Sequence, residues 1–387
     1  MKYKIWGEEL IDKEAIKQMD NACSLPISVK GALMPDGHVG YGLPIGGVLA
    51  TDNSVIPYAV GVDISCSVKL SVFDIPPKEL IENMKRFKQA IEAETRFGIG
   101  AGFKGGRRNH EVMDEDWKVS PITAANKDKA WEQLGTSGSG NHFVEFGIFK
   151  IGKNEIGLAP GDYLALLSHS GSRGVGAMVC DYYSKIAKQK CGLQEKELTH
   201  LSWLSLDSQE GKEYWNTMQL MHKYAEANHE LIHKHIAKNL GAHVLFSFIN
   251  SHNMAWEEEH DNRKLIVHRK GATPAAKGQL GIIPGSMSSP TYLVVGRGEP
   301  ESLKSCSHGA GRQMGRQKAK STLNKQDCMK HLKEDGVTLM SAGVDEMPAV
   351  YKDINKVMEA QRDLVDIVGE FHPLLVKMAG GNEPAED

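Results

Sequence analysis

The chain has 387 residues, enough for one large core or two domains, and its 41% apolar and 25% charged residues are ordinary for a folded globular protein. A formal net charge of −3 excludes a uniformly basic nucleic-acid coat, so any polyanion must meet a local patch. Three such patches stand out: Lys104 with Arg107 and Arg108, His268-Arg269-Lys270, and Arg312 through Lys320.

In chain order, the spacing of Ile11, Ala15, Ile16 and Met19 predicts a helix over 8–22. Strands are predicted at Ile45–Ala50, Ala59–Asp63 and Val68–Val72, then a helix over 78–95 and a Gly/Arg-rich loop from Gly98 to Arg108. Further strands fit Phe143–Phe149, Tyr163–Ser168, Val244–Ile249, Lys264–His268, Leu280–Ile283 and Thr291–Val295. Long helices fit 174–190, 208–240 and 351–368, with Gly241 placed to stop the second. Strands with interposed helices, without regular βαβ alternation, predict an α+β fold with one large domain over 1–379 and a disordered acidic tail over 380–387. No apolar run approaches the ~20 residues of a membrane span, and the N-terminus lacks a signal-peptide core. The six cysteines form no Cys-x-x-Cys pair, which fits free thiols in a reducing cytoplasm.

Five segments place a His, Cys or Asp among Gly, Ser or Asn beside an apolar strand: Gly61–Cys66, Gly140–Glu145, Ser168–Gly174, Asn250–Asn253 and the turn at Ser307-His308. Strand ends hold side chains rigidly and let them converge, which suits metal ligation. Asp63 and Cys66 can serve one metal from one loop, and a thiolate can bridge two cations. Mixed O, S and N donors suit Zn, Fe, Co or Mn. In Ser307-His308-Gly309-Ala310-Gly311-Arg312, the glycines could bring backbone N–H groups to an anion, strengthened if a helix opens there. His308 beside such an anion is a candidate ligand, proton carrier or nucleophile toward phosphorus.

Read together, Met34–Gly47, Leu134–Phe143, Ser168–Gly174, Pro284–Met287, Asp345–Ile354 and Lys377 resemble the RtcB-type RNA ligases. The resemblance implies a central metal and nucleotide cleft and a GTP- and Mn²⁺-dependent enzyme with two ions per site. Its reaction would join RNA 3′-phosphate or 2′,3′-cyclic-phosphate ends to 5′-hydroxyl ends through a GMP–histidine intermediate. Carried over by residue, the metal ligands are Asp63, Cys66, His142, His169 and His252, with Cys66 shared, and the guanylylated nucleophile is His308. GTP binding is implied for Asn141, His142, Phe143, Val144, Glu145, His252, Asn253, Pro284, Gly285, Ser286, Met287, Thr291, His308, Gly309, Ala310, Gly311 and Lys377. Arg173, Arg312 and Arg316 are placed for RNA or phosphate contacts. The family includes members assisted by archease, so an archease-like activator is a possible partner, and a cytoplasmic monomer is the default expectation. Serines flanking Cys66, Thr291 for a serine, Gly37 for an apolar residue and the spacing of Cys306 mark a divergent branch.

Two rival readings compete. His229-Glu230-Leu231-Ile232-His233 fits the H-E-x-x-H signature of zinc metalloproteases, though Ile236 and Asn239 break its extended form. A catalytically inactive RNA-binding paralogue is the other, opposed by the presence of His308 and all five ligand positions.

Overall fold

A computed structural model describes residues 3–103 and 105–381. Lys104 and most of the acidic tail lie outside the described residues. The chain forms a mixed α+β fold around two sheets. The larger has eight strands: Leu280–Ile283, Thr291–Gly296, Val365–Met378, Phe143–Ile151, Gly161–Ser170, Ser67–Phe73 and Val244–Ser251 in spatial order, with Thr338–Ser341 added beside Val365–Met378. The smaller runs Lys4–Ile5, Ser28–His38, Ile45–Thr51, Arg263–Lys270, Asn253–His260.

Strand alternation decides what each face of the larger sheet carries. One set of positions (Val68, Leu70, Phe149, Leu167, Phe371) packs into an apolar layer, and the same parity continued along the strands reaches Cys66, His169 and His252. The opposite parity (Phe73, Phe146, Leu164), joined by Leu375 after a register shift at Pro373/Leu375, packs against Phe87 of helix Met84–Glu94 and Ile232 and Ile236 of helix Gln209–Leu240. That long helix starts at Ser208, whose hydroxyl accepts from the Gly211 N–H, and ends at left-handed Gly241 as the sequence predicts.

Two predicted elements differ from expectation. Residues 59–63 are not a strand: Pro57 opens a short helix, Pro57–Val60, and Val62-Asp63 form a turn. The helix over 351–368 shrinks to Ile354–Ala360, and Val365 begins the 14-residue strand that ends at Met378. The helix over 78–95 is present but broken at Asn83. Strand Ser28–His38 was not anticipated.

In two of the three basic patches an arginine turns inward. Arg108 is buried against Glu94 and the Gly135 carbonyl, while Arg107 pairs with Asp128 and Glu132. Arg269 is fully buried, bidentate to Glu258, and His268 accepts the Ile56 N–H. These cations organise the fold. Among the described residues, no helix is long and apolar enough to cross a membrane, and all six cysteines are free thiols.

Candidate active site

A cavity of about 510 Å³ opens where the two sheets meet. His252 is the single residue between strand Val244–Ser251 of one sheet and strand Asn253–His260 of the other, so the chain changes sheet at a candidate ligand. Cys66 Sγ lies 3.0 Å from His169 Nε2 and 3.3 Å from His142 Nε2. His169 Nε2 stands 3.2 Å from His252 Nε2, and His142 Nε2 stands 3.0 Å from Asp63 Oδ2. Two groups of three converge, Cys66–His169–His252 and Asp63–Cys66–His142, with the thiol common to both.

The tautomers suit cation binding. His142 Nδ1 donates to the Ser137 carbonyl at 2.9 Å and His169 Nδ1 to the Asn141 carbonyl at 3.1 Å, which turns each Nε2 lone pair inward. Burial, with the neighbouring imidazoles, holds His169 and His252 well below the usual histidine pKa, so both are neutral ligands. Burial works against ionisation of Asp63, yet the adjacent His142 and the charge of Arg173 keep its carboxyl below the ordinary range. Asp63 Oδ2 is buried with no hydrogen-bond donor. Buried O, S and N lone pairs facing one another are what one or two divalent cations satisfy, so these residues fit the implied metal.

The loop carrying Cys66 is strained in a specific way. Ser65 is left-handed (φ 57°), a conformation natural to Gly or Asn. It is held there by its N–H to the Asn253 carbonyl at 2.6 Å and by its hydroxyl, 2.7 Å from both His222 Nδ1 and Ser251 Oγ.

His308 follows the short strand Ser305–Ser307, its ring 4.9 Å from that of His252. Its Nδ1 donates to Asp36 Oδ2 at 2.6 Å, and its backbone N–H donates to the same oxygen at 3.0 Å. Burial raises the Asp36 pKa, but His308 and the nearby Lys352 charge more than offset that and hold the carboxyl below its ordinary value. Gly311 has φ +72°, and a Cβ there would lie 2.1 Å from the Asp36 carbonyl oxygen, so only glycine fits. The turn is not the helix N-terminus the sequence suggests. The next helix is Arg316–Thr322, and the N–H groups of His308, Gly309 and Ala310 are already bonded to Asp36 and the Pro284 carbonyl.

Most of the expected nucleotide residues share the cavity wall: Asn141, Phe143, Glu145, His252, Asn253, Pro284–Met287, Thr291 and His308–Gly311. Four expected residues do not. His142 sits just behind the wall, where it meets Asp63, and Val144 points to the helical side of its strand. Lys377 pairs with Val144, one residue out of phase with cavity-lining Val376 and Met378, and its Nζ instead lies 5.7 Å over the Phe97 ring, near Glu92 and Arg96. Strand parity therefore turns Lys377 away from the cavity wall. Arg173 is likewise buried behind the metal group, Nη1 3.3 Å from His142 Nδ1, and does not face RNA. Arg312 and Arg316 do line the cavity, held by Asp345 and Glu346. Sequence alone gives Asp36 no role, because its partner His308 lies 272 residues away.

The H-E-x-x-H helix is structural. His229 and His233 share the Ser168 hydroxyl at 2.7 and 2.8 Å, His233 also bonds Ser71, and Glu230 faces outward to His110. No protease constellation forms there.

Fold and site together define an α+β protein with a buried Asp/Cys/His group that could hold metal, beside a carboxylate-held histidine. The family profile described as tRNA-splicing ligase RtcB matches residues 18–120 and 104–379, and the chain belongs to the RtcB family. It is 32% identical to the RNA-splicing ligase RtcB of Escherichia coli K12, over 94% of each chain. It is 33% identical to the tRNA-splicing ligase RtcB of Nanoarchaeum equitans, over 95% of this chain and 92% of that one. A third relative, RNA-splicing ligase RtcB homolog 1 of Entamoeba dispar, is 30% identical over 93% of this chain and 81% of its own length.

Proposed function

We infer that the chain is an RNA ligase that uses GTP and manganese to join RNA ends bearing a 3′-phosphate or 2′,3′-cyclic phosphate to ends bearing a 5′-hydroxyl. The observation that carries this is the pairing of His308 with Asp36 beside the Cys66-centred ligand group. With Nδ1–H donated to Asp36, Nε2 is the basic nitrogen of His308 and attacks the α-phosphorus of GTP, expelling pyrophosphate. Asp36 stabilises the imidazolium that develops. A 2′,3′-cyclic end is first opened by water to a 3′-phosphate; the guanylyl group then passes from His308 to the 3′-phosphate, and the 5′-hydroxyl attacks that activated phosphorus and releases GMP. Manganese held by Asp63, Cys66, His142, His169 and His252 would neutralise phosphate charge during these transfers. Glu145, Phe143 and Met287 on the cavity wall are suited to the base, and Arg312 and Arg316 to RNA phosphate. A cytoplasmic monomer, with an archease-type partner suggested by the family, completes the reading.

The test is intact mass after incubation with GTP and Mn²⁺. One GMP adduct is expected, labile to acid as a phosphoramidate and absent in His308→Ala. An adduct that persists in that variant refutes the assignment. RNA with a 3′-hydroxyl paired to a 5′-phosphate partner should not be joined.

A further inference from the structure

The mouth of the cavity carries a feature that neither the metal group nor the nucleotide wall uses. Its lip is the loop between strands Ser28–His38 and Ile45–Thr51, where Tyr41 is 58% and Val39 48% exposed. Both also line the cavity, so this apolar exposure is continuous with the site.

Tyr41 is the outermost ring of a small cluster. The His200 ring lies 5.8 Å from it and the Tyr58 ring 6.5 Å, both tilted, while His200 meets Tyr58 edge-on at 4.6 Å. The loop beneath is fixed. Buried Lys270 donates to the Tyr41 carbonyl at 2.5 Å, and Gly42 (φ +72°) packs so tightly that a Cβ would lie 2.8 Å from the His200 carbonyl oxygen. Positive charge borders the rings: Lys188 Nζ stands 5.3 Å over Tyr58. Burial, with the charges of Lys188 and Lys270, keeps the pKa of His200 below the usual histidine value, and Asp181 is the nearby acid that acts on Tyr58.

A rigid, exposed aromatic ring with a lysine close to its cluster is what holds an unpaired nucleobase, since every base offers a π-face and its backbone brings phosphates. A protein partner would call for a wider apolar patch than Tyr41 and Val39 provide. We propose that Tyr41, backed by His200 and Tyr58, is a stacking platform for one unpaired base of the RNA strand whose terminal phosphate enters the cavity. Lys188 supplies positive potential beside it. This rests on the RNA-ligase reading and adds a base-contact site to it.

The test uses short single-stranded RNAs ending in a 3′-phosphate, with one nucleotide near that end made abasic at successive positions. Affinity is read by fluorescence anisotropy on the full chain. In the wild type, base removal at one position should weaken binding roughly tenfold, the scale of a lost base–aromatic stack. Tyr41→Ala should weaken the intact RNA by a similar factor and lose its sensitivity to that abasic position, whereas Tyr41→Trp should keep both. Tyr41 is exposed, so these variants should melt at the wild-type temperature. If Tyr41→Ala retains the abasic penalty, or if the wild type ignores base removal at every position, the platform is refuted and the ligase reading stands. No binding of any of these RNAs, together with no GMP adduct, refutes both.

Discussion

Asp36 Oδ2 takes three donors from one turn: the ring Nδ1 of His308 at 2.6 Å, the His308 N–H at 3.0 Å and the Gly309 N–H at 3.4 Å. One buried carboxylate thus sets the position, orientation and tautomer of the imidazole. Asp36→Asn preserves shape but offers an amide that can face Nδ1 as a donor, which moves the proton to Nε2 and blocks attack. The rate of GMP-adduct formation should fall about a thousandfold or more, as when other positioned carboxylates lose this role. Manganese content, measured by mass spectrometry of the metal, should not change. An adduct rate within a few-fold of wild type would show that Asp36 only packs.

The shared thiol makes a separate statement about stoichiometry. Cys66 belongs to both ligand groups, whereas His142 and His252 each belong to one. Cys66→Ala should weaken binding of both ions, each by more than the roughly 10- to 100-fold that loss of an outer-shell partner costs. His142→Ala and His252→Ala should each spare one site. Calorimetric titration with Mn²⁺ checks this, and one undisturbed tight site in Cys66→Ala would overturn the sharing.

What the sequence made legible was local. The expected helix over 208–240 with its stop at Gly241 matches Gln209–Leu240 almost to its ends, and the strands expected at Val68–Val72 and Tyr163–Ser168 form next to Cys66 and His169. Ligand identities followed from the family resemblance, and the structure brings those five side chains together. The misses involve distant partners or overridden patterns. Ser28–His38 was hidden by its Gly, Pro and Asp, residues that are poor in strands, yet Asp36 sits there because His308 needs it. Residues 361–368 carry apolar spacing that fits a helix, but pairing with Thr291–Gly296 makes them a turn and a strand. Face assignment near the C-terminus required a register that no single strand reveals.

Glu145 gives the nucleotide site a pH signature. Burial alone pushes its carboxyl up to about 8, with no cation beside it to offset the cost. The free protein at pH 7 therefore holds the proton. If the carboxylate accepts from guanine N1–H and N2–H, binding must release that proton. GTP affinity should then rise with pH from neutral toward a plateau above about 8, by at most about tenfold per pH unit. Calorimetry in buffers of different ionisation enthalpy should register proton release at pH 7, and Glu145→Gln should abolish both effects. Proton uptake on binding would contradict this orientation of the base.

The register of the last strand decides which side chain near the C-terminus can touch the base. Glu145 pairs with Val376 and Phe143 with Met378, and all four line the cavity, while Lys377 pairs with Val144 on the helical side. The Lys377 ammonium lies over Phe97, where burial holds its pKa below the ordinary lysine value. Lys377→Ala should therefore leave the preference for GTP over ATP unchanged and cost about 0.5–1 kcal/mol of stability through the lost cation–π contact. Moving the lysine one residue along, in the double variant Lys377→Met with Met378→Lys, turns the ammonium into the cavity. There it can donate to guanine O6, which adenine replaces with an amino donor, and one hydrogen bond from a charged group is worth about 1.5–3 kcal/mol. Selectivity for GTP should rise roughly tenfold or more in the double variant. Competition of ATP with GTP in the adduct assay reads both effects, and a loss of GTP preference in Lys377→Ala would show that the strand sits in the other register.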